Sequence, residues 1–186
     1  MTDVGHRALV AYERDRDRYD LHYSHWGAHD WRLATAIRPD QPFGRPESEH
    51  RGETTAVDPA PLATDCSFDA VLDEHLDFQG YEAFVSVSES FEVTSWLVCW
   101  FGLPGVDSDR PRDGAIVSVD TGAVRLDGER LRSRFAGAKE TVGAMVDRGD
   151  IDPETARASL ARAVESWGGN DRPVHLGPTT RAALGR

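Results

Sequence analysis

Residues 93–101 read Val-Thr-Ser-Trp-Leu-Val-Cys-Trp-Phe, and residues 81–88 before them read Tyr-Glu-Ala-Phe-Val-Ser-Val-Ser. Both are rich in the β-branched and aromatic residues that fit a pleated surface. Both are apolar on alternate positions of either face, the pattern of central strands covered on both sides. Residues 90–101 also fit a helix; the strand reading makes this a sheet protein.

Working outward, residues 6–12 read as a strand, 13–18 (Glu-Arg-Asp-Arg-Asp-Arg) as a charged turn, and 19–26 as a second strand alternating with period two. Together they predict a hairpin with a loop of about six residues. Residues 38–64 hold five prolines and no periodicity, which reads as a long solvated loop or a disordered length. Residues 66–77 place Phe68, Val71, Leu72 and His75 or Leu76 on one helical face and acids on the other, with Gly80 as a stop. Residues 115–119 and 123–126 flank Asp120-Thr121-Gly122 as a second hairpin, and Asp127-Gly128 turns the chain into a helix over about 129–147. Its stripe is Leu131, Phe135, Ala138, Val142 and Met145. A further helix starts at Asp152-Pro153, an N-cap followed by proline in the first turn, and ends at Gly168-Gly169. Residues 170–186 have room for one short turn of helix. The prediction is one α+β domain over 1–186: a mainly antiparallel sheet of about six strands, one short helix, and a C-terminal helical hairpin packed on the sheet.

Of the 186 residues, 21 are Lys or Arg and 32 Asp or Glu, a formal net charge of −11. That sign disfavours a nucleic-acid partner. A hydrophobic fraction of 39% with five tryptophans is too rich for a disordered chain. The longest apolar run, 96–101, is far short of the ~20 residues that span a bilayer. The first residues, Met-Thr-Asp-Val-Gly-His-Arg, lack the basic start and apolar stretch of a secretory signal. Two cysteines, Cys66 and Cys99, suggest reduced thiols in a cytoplasm. The charge is segregated. Residues 52–109 carry twelve acids and no base, whereas 110–186 sum to +2. Lys139 is the only lysine among the basic residues; the other 20 are arginine.

The densest reactive stretch is His22 to Trp31. His25, His29 and Asp30 are the candidate ligands of a divalent transition metal, if Gly27 turns the chain so that they converge. The competing reading is a strand end whose His and Trp side chains pack. Ser24 and His25 are adjacent, so on a strand they face opposite ways and cannot be nucleophile and base. Cys66, at the start of the expected helix, has no argued histidine partner. Trp96 and Trp100 form either a binding platform or part of the core. Arg130, Arg132 and Arg134 crowd the expected helix start, where the dipole disfavours cations. Their compensation is sought in the acidic helix at 66–77, in an anionic ligand, or in a second copy of the chain.

The stretch from His6 to Gly27, with Phe91-Glu-Val-Thr-Ser-Trp-Leu-Val-Cys-Trp-Phe-Gly-Leu103, resembles an uncharacterised family of haloarchaeal proteins. The resemblance implies origin and a cytoplasmic setting, and it assigns no catalytic residue; the halophilic reading comes from the excess of acids with arginine in place of lysine, whose mutual repulsion molar salt screens. The leading functional expectation is a binding or regulatory domain, with a homo-oligomer or protein partner and no membrane. The alternative is a small metal-dependent or histidine-based enzyme centred on His25, His29 and Asp30.

Overall fold

The computed structural model describes residues 6–45, 55–107, 109–169 and 171–186. Its centre is a seven-stranded sheet. In chain order the elements are β1 (Ala8–Asp15), β2 (Arg18–Ser24), α1 (Leu33–Ala36), β3 (Gly44–Arg45), β4 (Thr55–Ala56), β5 (Ala63–Ser67), α2 (Phe68–Ala70), β6 (Ala83–Val87), β7 (Val93–Trp100), β8 (Gly114–Ser118), α3 (Val124–Asp147), α4 (Pro153–Glu165), β9 (Val174–Leu176) and α5 (Pro178–Ala183). The sheet order is β5-β2-β1-β6-β7-β8-β9, and β3 and β4 pair separately. Every neighbouring pair in the large sheet is antiparallel except the central β1–β6 pair, which is parallel. The α+β reading therefore holds, and residues 93–100 are strand.

Both sheet faces are covered. On one, Val10, Val85, Cys99 and Val117 pack against Leu131 of α3 and Leu160 and Val164 of α4. On the other, Leu9, Phe84, Val98 and Ile116 pack against Val71, Leu72 and Leu76. This explains why β6 and β7 read as apolar on both faces.

Several local expectations are corrected. The charged stretch 13–18 is no six-residue loop: the strands run on, and Arg16-Asp17 alone turn the chain, with φ of 47° and 61°. A tight turn with positive φ at both central residues matches the twist of the strands. Cys66 lies in the edge strand β5, not in a helix. The helix starts at Phe68, with Ser67 Oγ accepting from the Ala70 amide at 3.2 Å, and continues as a π-helical turn over Val71–His75. The described flanks of the proline-rich loop are held to the sheet. The Asp58 amide donates to Tyr23 O, the Leu62 amide to Leu21 O, and Ser24 Oγ to Ala56 O. Residues 46–54 of that loop lie outside the described residues.

Residues 123–126 form no strand. The helix α3 already starts at Val124, so Gly128 lies inside it. A Cβ on Gly128 would sit 2.3 Å from Trp31 Cε2, so the glycine lets a buried indole approach the helix axis. The earlier start also moves Arg130, Arg132 and Arg134 beyond the first turn, where the dipole has faded. The C-terminal tail adds β9 as the seventh strand and α5 as the short helix.

Asp127 ties the start of α3 to the β8–β9 end. Arg172 donates to both its oxygens, at 2.8 and 3.0 Å, and the Asp120 amide adds a third bond at 2.9 Å. The Arg172 hydrogen bonds hold this carboxyl below the usual aspartate range. A depressed carboxylate contributes stability that is present above its unfolded pKa and lost as pH falls through the folded value. Below about pH 4, unfolding curves of the parent should fall more steeply than those of Asp127→Asn. Parallel pH profiles of the two would remove Asp127 from the acid response.

Candidate functional site

The sheet topology gathers chemistry at one end. Ala8 pairs with Ser24 on one side and Ala83 on the other, and Ala83 pairs with Leu97. The residues just outside these positions therefore meet: His6 before β1, Glu82 before β6, and His25 and Trp26 after β2.

His6 Nδ1 lies 2.9 Å from Glu82 Oε2. The His6 ring is 5.0 Å from His29 and 6.0 Å from Trp26. Trp26 stands edge-on to His25 at 5.1 Å and to His29 at 6.5 Å. His25 Nδ1 and the Tyr23 hydroxyl are 2.9 Å apart. His29 Nε2 is 3.6 Å from Asp30 Oδ2, and Asp30 also accepts from Arg32 at 3.1 Å. Asp30 and Trp31 both have positive φ, 51° and 57°, a strained pair in which the Trp31 indole nevertheless reaches the core.

The turn at Gly27 thus brings His29, Asp30 and His6 together, while His25 is engaged by Tyr23 across Trp26. Among the described residues, no group of three or more His, Cys, Asp or Glu side chains is placed to hold a metal ion. The expected hairpin of 6–12 with 19–26 already sets His6 alongside this stretch, whereas Glu82 is not legible in the sequence, because only the parallel β1–β6 pairing makes it a neighbour.

Beyond Glu82 the same end of the sheet opens into a groove along α3. A cavity of about 330 Å³ is bounded by Tyr81, Glu82, Trp100, Arg132, Phe135 and Lys139. Ala136 and Lys139 also bound a second cavity of about 530 Å³, between Leu103–Val106 and the C-terminal half of α3. Lys139 Nζ donates to Trp100 O at 2.8 Å and lies 4.1 Å from the centre of the Trp100 ring. Burial pulls its pKa down to about 8. The lysine is single in the sequence, and only the fold shows where it falls.

Trp96 is buried, its indole N–H donating to Ser86 Oγ at 3.1 Å; Trp100 is half-buried under Lys139. Arg130 and Arg134 are exposed, and Arg134 lies 4.5 Å over the Trp167 ring. Arg132 lies over Trp31 and donates to Glu129 at 2.6 Å and to Ala28 O at 3.3 Å. None of these three pairs with the acidic segment at 66–77, which the sheet separates from α3. The segment's partners are Arg181, which donates to both oxygens of Asp73 at 2.6 and 2.8 Å, and Arg112, which donates to Leu76 O at 2.8 Å.

Cys66 does have a histidine close by: its Sγ is 3.5 Å from His75 Nε2. Burial, reinforced by Asp20, Asp65 and Glu74, pushes the thiol up, opposite to what a nucleophilic cysteine needs. A last polar cluster holds Asp107 and Asp113 with Arg110, Arg157 and Thr180, and braces the 103–113 loop against α4 and α5.

A family model matches residues 4–53 and 47–176, and its description is a family of unknown function. No curated protein and no solved structure matches the chain.

Proposed function

We propose, for a chain that belongs to the family of unknown function DUF6735, that it is a ligand-binding domain acting through the α3 groove, without catalysis. The observation that carries this is Lys139, a half-buried cation on an aromatic wall, lining a concave space of ligand size. Charge selects the cavity. Around the smaller one, His6 engages Glu82 and Glu129 engages Arg132, which leaves the Lys139 ammonium as the charge without a carboxylate partner on its wall. Around the larger one, Glu140 and Asp147 outnumber Lys139. The ligand class is accordingly a small organic acid with an apolar body, seated in the smaller cavity. The cytoplasm of a salt-loving cell is the setting that the −11 charge supports.

The test is thermal unfolding with 3-phenylpropanoate and with phenethylamine, which share a ring and differ in charge. At a hundred times Kd the bound acid adds about 2.7 kcal/mol, a rise of roughly 5–10 °C for a domain of this size. The amine is expected to give none, and Ala136→Leu, which fills the groove from an exposed position, is expected to abolish the rise. If small aromatic and aliphatic acids leave the melting temperature unchanged, the reading fails.

A further inference from the structure

We propose that Lys139 is a covalent anchor in this groove, its Nζ condensing with the carbonyl of a bound 2-oxo acid to give a reversible imine. This rests on the ligand-binding reading and adds the ligand's reactive group.

Placement is the first argument. Lys139 lies on the wall that the two cavities share, with Nζ fixed by Trp100 O and by the faces of Trp100 and Phe135, at 4.1 and 5.8 Å. An ammonium has three protons to donate, and among the described residues only Trp100 O accepts one. The second argument is residue type. Every other basic residue of the chain is arginine, whose guanidinium keeps its proton and cannot act as a neutral amine. The position at the groove is the one that carries a primary amine on a side chain.

The local field supports the chemistry. The charged and titratable groups around Lys139 are Tyr81, Glu82, Arg132, Glu140 and Asp147 on the groove walls, with the buried Cys99 and Asp107 behind. Desolvation outweighs the acids among them, and the amine titrates at about 8. At pH 7.5 roughly a quarter of it is then neutral, against about one part in a thousand for an ordinary lysine.

The step balances without an outside oxidant or reductant. The ammonium gives a proton to water, and the free amine attacks the carbonyl carbon. The C–N bond forms as the C=O π pair moves to oxygen. Proton transfer from nitrogen to oxygen gives the carbinolamine. The nitrogen lone pair then forms C=N as the C–O bond breaks and the oxygen, protonated again, leaves as water. In net terms an ammonium and a carbonyl become a protonated imine and one water, and hydrolysis reverses it. Arg132, on the same cavity, keeps N–H donors for the acid's carboxylate.

The experiment incubates the full chain at pH 7.5 with phenylpyruvate and sodium cyanoborohydride and follows it by intact and peptide mass spectrometry. The expected result is one reduced adduct on Lys139, formed roughly a hundredfold faster than on the same lysine in urea-unfolded protein. Lys139→Arg, which keeps charge and length, is expected to fold, shown by an unchanged circular dichroism spectrum, and to lose that adduct. 3-Phenyllactate, which lacks the carbonyl, separates the two readings. If phenyllactate and phenylpyruvate both raise the melting temperature and no Lys139 adduct is trapped, the imine is overturned and the binding reading stands. If neither raises it and no adduct forms, both fail. An adduct on Lys139 that forms no faster in folded than in unfolded protein also overturns the anchor.

Discussion

Replacing Asp107 by alanine is expected to lower the melting temperature by on the order of 10 °C, from a loss of about 3–5 kcal/mol. Asp107 is 8% exposed, and Arg157 donates to both its oxygens at 2.8 and 2.9 Å. Arg110 adds a contact at 3.2 Å, and the Leu103 amide donates at 3.0 Å. Asp113 stands on the other side of both arginines and accepts from Thr180 Oγ1 at 2.7 Å. Two carboxylates and two guanidiniums thus balance inside the fold. Removing Asp107 leaves Arg157, its side chain 14% exposed, facing a single carboxylate at 3.7 Å. The cost is that of an uncompensated buried charge, which exceeds the net worth of the pair. Asp107→Asn should keep most of the loss, because an amide cannot neutralise Arg157. The double variant Asp107→Leu with Arg157→Met should recover much of it. Salt gives an independent check. From low to molar KCl the parent should gain stability as repulsion among its surplus carboxylates is screened. The gap between parent and Asp107→Ala should stay constant, since a buried pair is screened little. Melting of the alanine variant within a degree of the parent would reject the brace.

That cluster also shows how the charge pattern translates into structure. The acidic middle of the chain does seek arginine elsewhere, as segregated charge suggests. Asp65 finds Arg18, Asp73 finds Arg181, and Asp107 finds Arg157. The partners are scattered over β2, α4 and α5. A count by segment gives the direction of the pairing, while the sheet decides which arginines can reach.

Local sequence carries the elements whose burial is uniform along their length. β6 and β7 are covered on both faces and read as apolar runs; α4 announces itself by Asp152, whose side chain accepts from the Thr155 amide at 2.8 Å. Elements whose form depends on a distant partner are not legible. Gly128 reads as a turn because a glycine usually breaks a helix, yet the Trp31 indole makes it a helical contact point. β5 and β9 are edge strands of five and three residues, too short to show a period. The site divides the same way. The histidines between 22 and 30 are conspicuous in sequence, but Glu82 joins them only through parallel pairing of β1 and β6. Lys139 is conspicuous as the sole lysine, and only the packing of α3 across the end of β7 turns that into a position.

The second large effect is expected at Trp96, and it distinguishes the two tryptophans of the central strand. Trp96→Ala should cost about 3–5 kcal/mol, the range for deleting a large buried aromatic. The indole is 7% exposed, packs beside His175 at 5.4 Å and Phe68 at 6.5 Å, and donates to Ser86 Oγ. Truncation opens a cavity between the sheet and the 68–76 segment and leaves the serine hydroxyl without its donor. Trp96→Phe should recover the packing and lose only the hydrogen bond, an intermediate result of about 1–2 kcal/mol. Trp100 should behave differently. It is half-buried at the strand end, so Trp100→Leu is expected to lower stability less than Trp96→Ala does. Its distinctive consequence is at Lys139, which loses the ring beneath its ammonium and gains water. Because the chain has one lysine, labelling with ¹³C-lysine gives one side-chain resonance to titrate. Its midpoint should move from about 8 toward the ordinary lysine value in Trp100→Leu and stay in place in Trp96→Phe. A platform for a partner would invert the pattern, with Trp96→Ala leaving stability intact; chemical denaturation of the three variants decides between a core residue and an exposed one.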